Sequence, residues 1–419
     1  MKKVTTNKKI SKNSLSLILL CFLVYFIAYL ARYSYSSNIN RVIEFFSVTR
    51  ASAGSVGTCF FIAYGVGQVF HGLMCKKYNS RYAIFLAMII SAIVNLSFTF
   101  LSVNSFDLLK VLWFINGFAQ AVLWSSLIRL LNESLPTFAL STSVFIMALP
   151  VSAGTFVIYG LSSLISAVEL SYKVVFIISG LLALLISLIW LFSVDRLKQN
   201  CLEEQKAEGK REIIENSNNE RASKNEGFVF AFCMLALFAV ANNFVKEGLT
   251  TWMPTILKEK YSLSNSISVF LTLFLPFFAV FGSTFAIFVN KKVKNYILVC
   301  GIFYLCSTVF FGIVLILLDY NSWVLPLICF ILVACSMSGV NNVITNIFPM
   351  MYAKKGNAGT IAGVLDGFCY VGSAITAYGM GSVADNFGWN NVFYIFIGVC
   401  ALMTVISLIY SSTKRRLKD

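Results

Sequence analysis

The sequence contains few charged residues. Only 12% of its 419 residues are Asp, Glu, Lys or Arg, whereas charged residues make up about a quarter of a soluble domain. Hydrophobic residues account for 58% of the chain, and a water-soluble protein of this length would need far more polar surface to cover its core. The composition therefore excludes an ordinary soluble protein and predicts a chain whose solvent is the lipid bilayer.

The sequence also lacks the motifs of several function classes. It has no G-x-x-x-x-G-K-[ST] stretch, so this chain is not expected to use ATP. None of its eleven cysteines forms a C-x-x-C pair, so neither a zinc site nor a redox motif is indicated. The single histidine, His71, has no carboxylate at ligand spacing and is predicted to lie at the cytoplasmic end of a helix. No cofactor and no metal are predicted.

What the sequence does contain is a series of long apolar runs. A run of 18 or more apolar residues can cross about 30 Å of hydrocarbon as a helix. The runs predict an all-α polytopic membrane protein with twelve transmembrane helices, at residues 14–36, 50–74, 82–103, 107–131, 138–163, 172–194, 227–253, 264–289, 295–318, 322–347, 357–384 and 389–411.

The predicted helices fall into two groups of six. Residues 14–194 are predicted to form one six-helix bundle, and residues 227–411 a second, pseudo-symmetric bundle. The segment 195–226 is rich in Glu, Lys, Asn and Ser, as expected of a cytoplasmic linker. Residues 1–13 and 412–419 are predicted to be cytoplasmic tails. Since no small-residue cleavage site precedes Arg32, the first helix is interpreted as a mature span.

Lys and Arg are distributed unequally between the predicted loops. With the N-terminus inside, 25 of the 33 basic residues lie in inner segments and 6 lie in outer loops. This bias predicts a multi-pass protein of the cytoplasmic membrane with both termini in the cytoplasm. Because the basic residues are scattered through short loops, the net charge of +15 is attributed to topology and to anionic lipid, and no nucleic acid is expected. The protein is expected to be monomeric.

The charge bias makes the topology testable. We expect a cysteine that replaces Lys210, in the predicted linker, to be protected from a membrane-impermeant maleimide applied to intact cells. A cysteine-depleted protein provides the background, and a cysteine that replaces Lys260, in a predicted outer loop, provides the positive control. Strong external labelling at position 210 would contradict the predicted orientation.

Two basic residues interrupt the apolar runs. Arg32 lies near the end of the first predicted helix, and Lys246 lies 214 positions later, at the matching place in the seventh. Each costs about 2.5–3.5 kcal/mol at the bilayer centre on translocon scales. A water-filled cavity that binds an anion would offset this cost, with Arg as a planar fork and Lys as a mobile point charge. The alternative is that both side chains snorkel to the outer interface.

Two acidic residues accompany these cations. Asp366 could carry a proton, pair with a cation or hydrogen-bond the neighbouring backbone, and the sequence leaves these roles open. Glu247 directly follows Lys246, and adjacent helical positions point in different directions. Glu247 is therefore predicted to lean toward the outer side, and both acids are candidates for a coupling or a structural role.

A set of short motifs occurs in a fixed order along nearly the whole chain. They are Tyr29-Leu-Ala-Arg32, Ala63-Tyr-Gly65 followed by Gly72, Asn116-Gly-Phe-Ala-Gln120 with Trp124, Trp252-Met-Pro-Thr-Ile-Leu-Lys258, Ala358-Gly-Thr-Ile-Ala-Gly363, Tyr370-Val-Gly372 and Phe387-Gly-Trp389. In this order they resemble the organophosphate:phosphate antiporter family of the major facilitator superfamily, which includes glycerol-3-phosphate and hexose-phosphate transporters. The resemblance implies two six-helix halves around a central cavity.

The resemblance also implies a substrate site. The family binds phosphate between an Arg on helix one and a basic residue on helix seven, which correspond to Arg32 and Lys246. The other predicted substrate-binding residues are Tyr25, Tyr29, Gln120, Trp124, Asn243 and Tyr370.

The chain departs from the glycerol-3-phosphate branch of that family at four positions. Gln68 replaces a Lys, Leu149 replaces a His, and Asn243 and Ser338 replace two Tyr residues. Losing the Lys and the His weakens the case for a doubly charged phosphate.

The expected function is secondary active transport of a small organic anion, an organophosphate or sugar phosphate exchanged for inorganic phosphate, by alternating access. The first alternative is a proton-coupled carrier of another small solute that uses Asp366. The second, from a different class, is a transporter-like membrane sensor of a sugar phosphate. A membrane enzyme is a weak third, because the sequence shows no nucleophile–base or metal-ligand constellation.

Overall fold

The protein is built from helices that cross a membrane. The computed structural model describes residues 10–74, 77–207, 226–318, 322–350 and 358–416, and no strand occurs among them. Twelve segments are long and apolar enough to span a bilayer, which confirms the predicted all-α, twelve-helix fold. We number them span 1 to span 12 in chain order: Lys12–Phe46, Arg50–Gly72, Ser80–Phe100, Val103–Ser134, Phe138–Ala167, Lys173–Glu204, Val229–Lys260, Asn265–Val293, Tyr296–Leu317, Val324–Ile347, Ile361–Phe387 and Trp389–Ser412.

Some spans contain one long helix and others are interrupted. The long helices of spans 2, 3, 6, 7, 9, 11 and 12 are Arg50–Met74, Ser80–Ser97, Lys173–Ala207, Glu226–Lys260, Tyr296–Leu317, Ala358–Phe387 and Trp389–Arg416. Five spans are interrupted. Span 1 contains Lys12–Tyr33 and Ile39–Phe46, span 4 contains Phe106–Gln120 and Val122–Ser134, span 5 contains Thr137–Met147 and Pro150–Ala167, and span 8 contains Asn265–Thr272 and Phe274–Val293. Span 10 contains Val324–Asn342 followed by a π-helical turn, Val343–Ile347.

Local sequence explains several helix ends. The side chains of Asn79, Ser264 and Asn295 each accept a hydrogen bond from a backbone N–H in the first turn of the following helix, which is the N-cap arrangement that these residue types favour. In span 5 the second helix starts at Pro150. Because proline has no backbone N–H to donate, it fits the first turn of a helix and interrupts a continuous one.

The two halves repeat the same helix pairing. In the first half span 1 packs on span 5, span 2 on span 4, and span 3 on span 6. In the second half span 7 packs on span 11, span 8 on span 10, and span 9 on span 12. Each pair is thus repeated six spans later, and the pseudo-symmetry is present in the packing itself. The halves meet most extensively along spans 2 and 11.

Span 6 continues past residue 194, where the sequence places the start of the linker. Its helix runs to Ala207. Lys198 lies 3.8 Å from Glu133, and Asn13 donates a hydrogen bond of 2.6 Å to Glu204, so contacts within the first half hold this extension. Residues 208–225, the rest of the predicted linker, and residues 1–9 of the predicted N-terminal tail lie outside the described residues.

The halves are held together at the helix ends that are predicted to face outside. Arg50, at the start of span 2, pairs with Glu259 at 2.7 Å and with Asp385 at 2.8 Å, both in the second half. Asp385 also accepts from the backbone N–H of Ala51 at 2.7 Å and so caps the helix of span 2. We call the contacts of Arg50, Glu259 and Asp385 the outer seal. Further hydrogen bonds between the halves near it join Asn40 to Thr255 and Asn265, Tyr159 to the backbone of Thr250, and Ser163 to Ser266.

Glycine allows a close approach of the halves beside the outer seal. A Cβ atom on Gly54, in span 2, would lie 2.0 Å from the carbonyl oxygen of Ala377 in span 11. A cavity lined by Gly54, Arg32 and Thr251 has room for about one water molecule. The protein is therefore closed on this side of Arg32.

Candidate substrate-binding site

Arg32 lies at the end of the first helix of span 1, enclosed by protein at 5% exposure. Its Nε donates to Gln120 Oε1 at 3.2 Å, and its Nη1 donates to the Tyr29 hydroxyl at 3.3 Å. The rings of Tyr29 and Tyr64 lie 4.5 and 4.3 Å from its Cζ, within cation–π range. Its Nη2 is buried and has no hydrogen-bond partner among the described residues. Two of the three guanidinium nitrogens are thus bonded within the protein, and the third is left to donate to a ligand.

Gln120 belongs to a hydrogen-bond network inside the first half. Its Nε2 donates to Ser91 Oγ at 2.7 Å and to Asn116 Oδ1 at 3.2 Å, and Ser91 donates to the same Asn116 oxygen. These bonds leave the Gln120 carbonyl oxygen facing Arg32. Gln120, predicted from sequence as a substrate ligand, is placed to orient Arg32.

Lys246 lies in the middle of span 7 and is half-buried. Among the described residues, no hydrogen bond or ion pair of its ammonium group is found. Its charge interacts with the carboxylates of Glu247 and Asp366, as does the charge of Arg32. The four charged residues therefore occupy one region between the halves, and their formal charges sum to zero.

The two carboxylates have different surroundings. Glu247 is 7% exposed, and both of its oxygens accept from the Tyr33 hydroxyl at 3.2 Å. Tyr33, at the end of the first helix of span 1, covers Glu247 from the first half. Asp366 is half-buried and accepts from Gln68 Nε2 at 2.8 Å. The partner of Asp366 is thus a side chain of the other half and not its neighbouring backbone.

Of the remaining predicted residues, three belong to an aromatic cluster near Arg32, and the fourth, Asn243, makes its contact within the second half. Tyr25 packs on Tyr29 at 5.1 Å and on Trp124 at 5.3 Å between ring centroids, so an aromatic row leads away from Arg32. Tyr370, from span 11, packs against Tyr64 with 4.4 Å between ring centroids and brings the second half to the same cluster. Asn243 donates to Ser373 at 3.2 Å, a contact within the second half.

The sequence did not single out Tyr64, Phe60 or Tyr33, which the structure places beside the charged residues. Tyr64 and Phe60 face Arg32 from span 2. Tyr64 stands inside the Ala63-Tyr-Gly65 motif, and Tyr33 directly follows Arg32, but neither position reveals which neighbour the ring will meet.

Positions 149 and 338, where the chain also departs from the glycerol-3-phosphate branch, add no charge to the site. Leu149 precedes the Pro150 helix, and Ser338 bonds Ser283 at 2.7 Å.

Comparison with known proteins identifies the fold and its relatives. The family model of the Major Facilitator Superfamily matches residues 21–377 and 302–419. The glycerol-3-phosphate transporter of Bacillus subtilis is 25% identical over 94% of this chain and 92% of its own length. A probable hexose phosphate transport protein of Chlamydia trachomatis is 23% identical over 92% and 88%. A bacterial homologue of the lysosomal transporter Spinster, solved in an inward-facing and occupied conformation, superposes with a TM-score of 0.77 at 15% identity, covering 97% of this chain and 98% of that one.

Proposed function

The chain belongs to the major facilitator superfamily and is a membrane transporter, and on that premise we propose that it exchanges a small organic phosphate ester for inorganic phosphate. The observation that carries the proposal is the pair of cations between the halves. Arg32 keeps an unpartnered buried donor, and Lys246 is a basic residue that is half-buried and has no ion pair among the described residues. The relatives matched over nine-tenths of the chain are named as transporters of phosphate esters.

The donor set suits a phosphate group. A guanidinium offers N–H groups in a planar fork, and a lysine adds a mobile charge on a flexible stem. Charge-assisted hydrogen bonds of this kind are about twice as strong as neutral ones. Arg32 belongs to the first half and Lys246 to the second, so an anion that binds both would draw the halves together. The hydroxyl of Tyr29, already bonded to Arg32, is in position to add a neutral donor.

The outer seal gives this function a direction of access. The halves are closed at the end that carries Arg50, Glu259 and Asp385, so a solute in this state must reach Arg32 from the opposite end. In the proposed cycle the seal opens and the opposite ends close, while the anion stays between Arg32 and Lys246. The charge bias of the loops supports the cytoplasmic membrane as its location and the sealed end as the outer one.

Asp385→Asn is expected to open the outer seal more often. The change weakens the ion pair with Arg50 and the cap on Ala51, and together these contribute about 1 kcal/mol. We therefore expect a roughly fivefold shift toward the outward-open state. A cysteine at Thr251, which lines the small cavity inside the seal, should then react about five times faster with an impermeant maleimide. The matched control is Asp107→Asn, since Asp107 pairs with Lys110 within the same helix. Equal labelling rates in both variants would contradict the role of the seal.

The sequence also allows a membrane sensor and a proton-coupled carrier of another solute. A membrane sensor is not favoured, because the relatives that cover nine-tenths of the chain are named transporters. A proton-coupled carrier of another solute retains one supporting observation, since Asp366 lies near both cations.

For the proposed phosphate ester, two residues of the glycerol-3-phosphate branch are missing, a Lys at position 68 and a His at position 149. The second negative charge of the ester therefore has less compensation here than in that branch.

Reconstitution tests the proposal directly. Proteoliposomes loaded with unlabelled phosphate should accumulate labelled phosphate, and externally added glycerol-3-phosphate or glucose-6-phosphate should compete. Vesicles that contain Arg32→Ala protein are the negative control. Absence of phosphate exchange, together with uptake of a labelled uncharged sugar or carboxylate by the same vesicles, would refute the proposed substrate class while leaving the family assignment intact.

A further inference from the structure

Glu247 is a buried carboxylate that the exchange of anions by itself does not use. It is 7% exposed, and the Tyr33 hydroxyl is its hydrogen-bond donor. Among the described residues, no ion pair within 4.0 Å is found for it. A carboxylate so placed is costly to keep ionised, because burial removes water and one hydroxyl replaces little of it.

The groups that face Glu247 come from four spans. Arg32 and Tyr33 face it from span 1, Tyr159 from span 5, and Cys369 from span 11, while Lys246 precedes it on span 7. The two cations act on it electrostatically without touching it. Its ionised form therefore depends on charges that an incoming anion would engage.

Charge balance links Glu247 to the anion. With Arg32 and Lys246 protonated and with Glu247 and Asp366 ionised, the region is formally neutral. A phosphate ester at pH 7 brings a charge of about −1.5 to −2. An unbalanced negative charge in a region of low dielectric constant is expensive, and the smallest compensating species is a proton on one of the two carboxylates.

The two carboxylates are not equivalent as acceptors of that proton. Asp366 is half-buried and receives the amide N–H of Gln68, so its charge is supported by an amide donor. Glu247 is more deeply buried and receives a phenolic hydroxyl. When an anion binds Lys246 and neutralises its charge, Glu247, the next residue on span 7, loses the electrostatic stabilisation that Lys246 gives to its ionised form.

We propose that Glu247 is a proton-binding site whose protonation accompanies the anion. The inference rests on the proposed function. As the phosphate group binds between Arg32 and Lys246, the Glu247 carboxylate takes up one proton from water and becomes a neutral carboxyl group, and it returns the proton when the anion leaves. Tyr33 donates to the ionised carboxylate and can accept from the neutral carboxyl, so the contact between the halves persists in both forms.

The experiment counts protons by calorimetry. Phosphate is titrated into the purified protein at pH 7 in two buffers with different ionisation enthalpies, and the difference in binding heat gives the number of protons taken up. The parent protein is expected to take up about one more proton per phosphate than Glu247→Gln, because the amide already resembles the neutral carboxyl. The protonation of phosphate itself contributes equally to both titrations and cancels in the difference.

Two further variants make the outcome decisive. Asp366→Asn should keep the parent's proton count, and Tyr33→Phe should lower it, because loss of the donor favours the neutral carboxyl before phosphate arrives. Equal counts in the parent and Glu247→Gln, or a loss in Asp366→Asn alone, would overturn the inference and leave the proposed function standing. Failure of the parent to bind phosphate or any ester would refute the proposed function, and this inference would fall with it. If Glu247→Gln does not fold, an unchanged count in Tyr33→Phe overturns the inference.

Discussion

Arg32→Ala is expected to abolish measurable anion binding. The change removes a buried donor that has no other partner and leaves Lys246 to hold the anion alone. Truncating one partner of a buried, hydrogen-bonded charge pair costs about 2–5 kcal/mol, or at least a roughly 30-fold loss of affinity. The expectation requires that Arg32 and Lys246 form a single site, although they lie 214 residues apart in the sequence.

Conservative substitutions separate the two cations. Arg32→Lys should be nearly as damaging as Arg32→Ala, because one ammonium cannot reproduce the bonds to Gln120 and Tyr29 and also serve the anion. Lys246→Arg should retain part of the transport rate, since the Lys246 ammonium forms no hydrogen bond or ion pair among the described residues that the substitution would break. A rate for Arg32→Lys above that for Lys246→Arg would contradict this division of roles.

Equilibrium binding of radiolabelled phosphate to detergent-purified variants provides the measurement. Each variant is first shown to be monodisperse, so that loss of binding is not loss of fold. Arg41→Ala is the matched control, because Arg41 bonds the backbone of Leu170 near the outer end and lies away from the charged region. If Arg32→Ala and Lys246→Ala both bind like the parent, neither residue belongs to the anion site.

Gly54→Leu is expected to prevent closure of the outer end without unfolding the protein. Its Cβ would lie 2.0 Å from the carbonyl oxygen of Ala377, and this contact joins span 2 of one half to span 11 of the other. Overpacking of this kind costs about 1–3 kcal/mol, which shifts the equilibrium toward the outward-open state by roughly 5-fold to 150-fold. Exchange should fall accordingly, because the cycle needs both states.

The matched substitutions distinguish gating from folding. Gly160→Leu should be tolerated, since among the described residues no atom beyond its own helix backbone lies within 4 Å of a Cβ at that position. Gly372→Leu should lower the thermal unfolding temperature, because its Cβ would lie 2.0 Å from the carbonyl oxygen of Val240 within the same half. For Gly54→Leu we expect a normal unfolding temperature, lost phosphate exchange and faster external labelling of a cysteine at Thr251. Normal exchange by Gly54→Leu would show that the close approach is not required.

Much of the fold could be predicted from the sequence because the bilayer makes few structures acceptable. A run of apolar residues long enough to cross hydrocarbon must satisfy its own backbone hydrogen bonds, and a helix does so within one segment. The positions of twelve spans therefore followed from hydropathy, with ends displaced by only a few residues except at the C-terminal ends of spans 1, 6 and 7. Arg32 and Lys246 were identifiable for the same reason, since a charge inside such a run requires an explanation.

The neighbours of those residues could not be predicted in this way. In a soluble helix the polar face shows which side is solvated, but lipid is as apolar as a packed helix, so an apolar run does not show which face meets protein. Sequence alone could thus name Glu247 and Asp366 but not their bonds to Tyr33 and Gln68.

The sequence by itself determined that this chain has twelve spans in two groups of six and that two cations lie at matching places in them. The reason is that the free-energy cost of exposing backbone or charge to hydrocarbon depends only on the residues of each segment. Only the tertiary structure decided that Gln120 and Tyr64 hold Arg32, that Glu247 is buried beneath Tyr33, and that Gly54 lets the halves close. Those contacts depend on how one helix is rotated against another, and such rotation is fixed by the packing of all twelve spans together.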